Sequence, residues 1–309
     1  MPLDLLPLQT DRDWELAVAF RNANQPTQPL TVAEAREADE VRARHGFSEQ
    51  FLMVEDGTPV AVGGVVKAFW TAKPSYYLYA CPDPGHSDRY SEFLQAVETR
   101  AASFADATWT VRGRSDCPWT VDVPPTLGYR ITQSNPALRL DLDDVPQHAG
   151  LCAIVSVPEF ARQRPESWER DVWRLEMDLM HDVPLPEPFQ DVPFEQFQAR
   201  LQSPHVDLEA HFLAMIDGEP IGLTQLYINH ADPTIGTTGL TGVLRAHRRK
   251  GIARDLKLHA MRWAASAGIR RIFTDTEEAN PMGLLNRQLG FVDDHVLVLF
   301  AKERHPQGE

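Results

Sequence analysis

The alternation of apolar and polar positions predicts short strands and amphipathic helices laid out twice in the same order. FLMVEDGTPVAV at 51–62 sets an apolar run on either side of Asp56-Gly57, and FLAMIDGEPIGL at 212–223 does so around Asp217-Gly218. An Asp-Gly pair between apolar runs predicts a β-hairpin, because its two-residue turn needs positive φ at both central positions. The hairpins lie 161 positions apart, and TLGYRI (126–131) recurs as QLGFVD (288–293) at an offset of 162. Two matches at nearly one spacing predict a tandem duplication. The boundary falls in LDDVPQHAG, about residues 141–150, giving one domain over 1–145 and another over 150–309.

The second half reads further. ESWERDVWRLEMDLM (166–180) has helical apolar spacing and is followed by a Pro-rich passage over 181–201. IGLTQLYIN and TIGTTGLTGVL are predicted strands. A basic turn follows, then a helix with Ile252, Leu256, Ala260 and Trp263 along one side. RRIFTDT is a strand and NPMGLLNRQL a short helix, closed at Gly290 with Phe291 folding back as in a Schellman cap. VLVLFAKE ends the order as a strand. The fold class is α/β in the mixed, α+β sense: each repeat is a mostly antiparallel sheet flanked by helices.

Composition narrows the partners. The 309 residues carry a net charge of −14, which repels the phosphate backbone of nucleic acid, so no nucleic acid is expected. No apolar run reaches about 18 residues, so no membrane span is expected. The N-terminal stretch carries acids where a secretion signal carries positive charge, which points to the cytoplasm. Cys81, Cys117 and Cys152 are widely separated, and no metal is expected.

Against that acidity, RAHRRKGIARDLKLHAM (245–261) gathers Arg245, Arg248, Arg249, Lys250, Arg254 and Lys257 around Gly251. A strand, a basic glycine turn and a helix start together make an anion site. The first N–H groups of a helix lack intrahelical partners, and its dipole favours negative charge there. Neither GK[ST] nor G-x-G-x-x-G is present, which excludes a Walker loop and leaves a dinucleotide fingerprint poorly matched.

The pattern Arg248-x-x-Gly251-x-Ala253 resembles the pyrophosphate loop of the GNAT superfamily of acyl-CoA-dependent N-acyltransferases. NPMGLLNRQLGF, about thirty residues on, resembles that family's later cofactor-contacting helix. The resemblance covers about residues 150–303 with both motifs, and the first half only through its framework. It implies acetyl-CoA as cosubstrate. The backbone of Val243, Leu244 and Arg245 would pair with the pantetheine arm. Pyrophosphate would lie on the N–H groups of Arg249, Lys250, Gly251, Ile252 and Ala253 beside Arg248. Asn280 and Asn286 would contact the cofactor from the later helix. The acyl group would lie between two splayed parallel strands, around 223–227 and 240–244. An amine would then attack the thioester directly.

Departures from the family pattern bear on chemistry. Asn286 stands where many members carry a tyrosine that protonates the leaving thiolate; an amide can hydrogen-bond sulfur but is no acid. Gln225 stands where relatives often carry a glutamate. Tyr227, the only tyrosine after residue 129, is the one substitute for that acid if it reaches in, and both Gln225 and Tyr227 are candidates to face substrate. Asp275, Glu277 and Glu278 remain alternatives as the base. In the first half, HSDRYSE (86–92) stands where the cationic turn would be, and its acids predict that this copy has lost the cofactor. The leading expectation is an N-acetyltransferase acting on a primary amine of a small molecule. The alternative is a non-catalytic CoA-binding regulatory or scaffold protein.

Overall fold

The computed structural model describes residues 3–304 apart from 69, 70, 72, 105, 144, 146–149, 185–188 and 277–279. The first half runs β1 (Asp4–Pro7), α1 (Asp11–Asn24), α2 (Val32–His45), β2 (Ser48–Glu55), β3 (Thr58–Lys67), β4 (Ser75–Pro82), α3 (Tyr90–Ala101), β5 (Ala107–Arg114), α4 (Pro118–Thr126) and β6 (Arg130–Asp141). The second runs β7 (Ala153–Ser156), α5 (Val157–Gln163), α6 (Trp168–Met180), α7 (Phe194–Leu201), β8 (His211–Ile216), β9 (Glu219–Ile228), β10 (Ile235–Val243), α8 (Ile252–Ser266), β11 (Arg271–Asp275), α9 (Pro281–Gln288) and β12 (Val292–Arg304). No helix among the described residues is long and apolar enough to cross a membrane.

Local chemistry accounts for most of these elements. Asp56 and Gly57 lie at φ 49° and 78°, Asp217 and Gly218 at 52° and 78°, the left-handed pairs that an Asp-Gly hairpin turn requires. Thr10 with Asp13 and Thr31 with Glu34 close capping boxes on α1 and α2. Gly128 and Gly290, the second duplicated pair, both lie at positive φ behind α4 and α9. At the latter, Phe291 N–H donates to the Asn286 carbonyl, closing the expected Schellman turn. Within the Pro-rich passage α7 forms, entered through Pro193. Phe194 and Phe197 pack it onto α6 and the sheet, and that burial overrides the proline signal.

The single expected boundary is replaced by an exchange of strands. Two compact units form: residues up to Pro136 together with the chain from His295 onward, and the chain between them from Ala137 to Asp294. The first contains the strand order β1-β2-β3-β4-β5-β12, the second β6-β11-β10-β9-β8-β7. Residues Leu297 to Arg304 of β12 pair antiparallel with Arg114 to Ala107 of β5. Residues Ala137 to Asp141 of β6 pair with Asp275 to Arg271 of β11. Each half thus ends by completing the sheet of the other unit and covers a strand edge that would otherwise be exposed. In the second unit, Leu226, Leu258, Met261 and Ile272 form the apolar layer toward α8. Leu175, Leu179, Leu213 and Leu223 form the layer toward α6 and α7.

Candidate active site

The site grows from a parting of two strands. β10 and β11 run parallel and pair only at Ile235, Gly236 and Thr237 with Arg271, Ile272 and Phe273. On its other side β10 stays paired with β9 through Val243, across a bulge between Thr238 and Thr241. A wedge therefore opens beside β10 from Thr238 onward. This corrects the sequence reading: 223–227 and 240–244 belong to an antiparallel pair, and the splayed parallel partner of β10 is β11.

The open end of the wedge leads to the basic turn. Arg249 lies at φ 60° and Gly251 at 85°, so left-handed residues alternate with Lys250 between them. Successive N–H groups in such an alternation point into one concavity, an anion nest. Gly251 is the N-cap of α8 and supplies no capping side chain. Among the described residues, no acceptor engages the N–H groups of Arg249, Lys250, Gly251, Ile252 or Ala253. Leu151 reaches over the turn, with its Cδ1 2.7 Å from where a Gly251 Cβ would stand, and its N–H donates to Asp255 Oδ2 at 2.5 Å.

The cations differ in their engagement. Arg245 and Arg248 both pair with Asp182, just beyond α6, and Arg248 Nε also donates to the Val243 carbonyl at 2.8 Å. Those arginines, Arg245 first, hold the Asp182 carboxyl down to about 2. Among the described residues, Lys250 Nζ reaches only the Ala246 carbonyl, at 3.4 Å, and Arg249 is exposed. The backbone expected to pair with a pantetheine arm is partly engaged already. Leu244 N–H donates to Ile221 O at 2.9 Å, and Val243 O accepts from Arg248. The edge that the wedge opens is the one from Thr238 to Gly242.

Of the two asparagines, Asn280 caps α9, its Oδ1 accepting from Met282 N–H at 2.9 Å. Asn286 is 0% exposed, and neither its Oδ1 nor its Nδ2 has a partner among the described residues. A buried primary amide left unpaired costs about 1–3 kcal/mol, so such a group points to a ligand.

On the α6 face of the sheet lies a buried polar cluster that sequence reasoning missed in part. Gln225 donates through Nε2 to Glu176 Oε2 at 2.9 Å and accepts through Oε1 from Leu240 N–H at 3.3 Å. Glu176, 5% exposed, also receives Arg200 Nη2 at 2.7 Å. The Tyr227 ring meets His211 edge-on at 5.1 Å and lies against Gly239, where a Cβ would come within 2.5 Å of it. Burial raises the Tyr227 phenol, which stays protonated at neutral pH. Burial, with help from Arg200, pushes the His211 imidazolium down to about 4, so the ring is neutral. Asp275 ends β11 and is exposed; Glu277 and Glu278 lie outside the described residues. One signal could have found Glu176: it falls within the apolar stripe of α6, beside Val172, Leu175 and Leu179. Arg200 and His211 carry no such signal.

The first unit lacks this arrangement. Where the turn would be, a 3-10 segment (Pro84–Arg89) leads into α3, and Arg89 is held by Glu55 and Glu92. None of its residues has positive φ.

A mixed sheet that parts beside a donor-lined helix start is the arrangement of the GNAT fold. Residues 170–291 match the model of the acetyltransferase (GNAT) family. The chain is 29% identical over 110 residues to aminoglycoside N(6')-acetyltransferase type 1 of Salmonella typhimurium, covering 33% of this chain and 73% of that protein. Two solved structures share the fold over nearly the whole length. A GCN5-related N-acetyltransferase from Sphaerobacter thermophilus superposes with a TM-score of 0.69 at 20% identity, covering 99% of this chain and 97% of that one. A tandem GNAT protein from the clavulanic acid biosynthesis pathway gives 0.67 at 16% identity, covering 99% and 100%.

Proposed function

We propose that this acetyltransferase moves an acetyl group from acetyl-CoA to a primary amine of a small molecule by direct attack on the thioester. The work is assigned to the second unit, between Ala137 and Asp294, and the first unit is read as a copy without cofactor. The observation that carries this reading is the wedge beside β10 running into a turn whose N–H groups meet no acceptor among the described residues.

The residues present suit an acyl-CoA. The turn from Arg249 to Ala253 offers backbone donors for a diphosphate, with Arg249 and Lys250 adding attraction. Asn286 offers one donor pair and one acceptor to the amides of the arm. The edge from Thr238 to Gly242 offers strand-like pairing, as in peptides added to a sheet edge. Gln225 and Tyr227 face the side from which the amine arrives. Glu176, buried behind them, accepts the proton that the amine loses on attack. Asp275, exposed at the end of β11, has the weaker position for that task.

An aminoglycoside name on the relative makes a multiply aminated sugar the first acceptor to test. Calorimetry with acetyl-CoA tests the donor, and CoA release from an amine panel including an aminoglycoside tests transfer. Glu176→Gln is expected to retain acetyl-CoA binding and lose at least about tenfold in kcat. Absence of acetyl-CoA binding to the whole chain refutes the reading. Binding without CoA release from any amine favours the second reading, a CoA-binding regulatory or scaffold protein, to which Asn286 in place of an acid already lends support.

A further inference from the structure

Lys257, on the second turn of α8, is 3% exposed, and no carboxylate pairs with it among the described residues. An unpaired buried ammonium is costly, and a methionine or leucine would fill the position more stably. Its surroundings show where it sits. It lines a cavity of about 10 Å³ with Thr224 and Leu226 of β9, Thr238 of β10, Ile272 of β11, Met261 and Phe291. Thr238 is the first residue of β10 beyond its pairing with β11, so the cavity lies at the crotch of the wedge. Its volume suits one atom of water size. Nζ stands 5.7 Å from the Phe291 ring, and no other residue lining the cavity is charged.

On the reading that the wedge holds acyl-CoA, the reactive end of the thioester comes to this crotch, and Asn286 stands where the family resemblance puts a tyrosine acid. We propose that Lys257 is the acid for the leaving group, its ammonium stabilising the CoA thiolate and then protonating it. The amine nitrogen bonds to the acyl carbon, and the carbon–sulfur bond breaks with its electron pair passing to sulfur. Sulfur takes a proton from Nζ, the amine's surplus proton goes to Glu176, and solvent exchange restores both groups. Burial brings the lysine down to about 8, which makes it a far better acid than an ordinary lysine and leaves it largely charged at neutral pH.

The inference rests on the wedge being the acyl-CoA site, and its test separates the two. CoA itself, the free thiol, is bound to the whole chain, and its thiolate absorbance in the ultraviolet is titrated by difference spectroscopy. Bound to the wild type, the thiol is expected to ionise at least about one pH unit below free CoA, as thiols beside a cation do. Lys257→Met is expected to bind CoA and abolish that shift. Lys257→Arg retains the shift, since a guanidinium stabilises thiolate, yet loses turnover because it gives up no proton. Identical titrations in wild type and Lys257→Met, with CoA bound to both, overturn the role of Lys257. Failure of CoA to bind the wild type sinks the wedge reading and this proposal together.

Discussion

Replacing Gly251 by alanine tests the turn with one methyl group. At φ 85° and ψ −4°, residue 251 occupies the left-handed region, where a Cβ costs about 1–2 kcal/mol. The new atom also stands 2.7 Å from Leu151 Cδ1, but Leu151 is 59% exposed and its end can swing into solvent. The expected loss of stability is therefore about 1–2 kcal/mol, read as a lowered urea midpoint at unchanged slope. Binding is expected to suffer more. Helix-start amides on a diphosphate are charge-assisted, each worth about 1.5–3 kcal/mol, and a displaced turn forfeits at least one. Acetyl-CoA affinity in calorimetry should fall by about tenfold to a hundredfold. Gly57→Ala serves as the control: it has the same left-handed backbone, φ 78°, with nothing within 4 Å of its Cβ. It should lose comparable stability with unaltered affinity. Unweakened acetyl-CoA binding by a destabilised Gly251→Ala would refute the anion nest.

Two further outcomes follow from buried polar groups. Asn286→Leu removes two unpaired atoms from a fully buried place, so the ligand-free protein should gain about 1–3 kcal/mol in chemical denaturation while acetyl-CoA binding weakens; a loss in both would show that the amide is satisfied within the fold. His211 binds its proton near pH 4 when folded and near 6.5 when unfolded, so between those values the unfolded chain holds more protons. Stability is full above pH 6.5 and falls by about 3 kcal/mol as pH drops to 4, and His211→Gln should flatten that part of the acid limb relative to wild type.

What contiguous residues encode, the chain displays openly. Asp56-Gly57 and Asp217-Gly218 turn their hairpins wherever they stand, since only backbone dihedrals at two adjacent positions are at issue. Gly251 and Arg249 likewise shape the anion nest from within five residues, and the offset of about 161 positions exposes the duplication without reference to any contact. Apolar spacing placed α6, α8 and α9 for the same reason: a period of 3.6 is a property of a short window.

Tertiary structure alone decided which distant groups meet. Asp182 lies 63 residues before Arg245 and yet claims it together with Arg248. Glu176, Arg200, His211 and Gln225 come from four elements and become one cluster only when α6 and α7 pack on the sheet. The exchange of β6 and β12 is also invisible in the pattern, because a strand's alternation says which face is apolar and not which neighbour it will pair with. Burial completes the difference: Lys257 reads as one more cation in a basic stretch, and only the layers closing around α8 turn it into an isolated charge with an altered acidity.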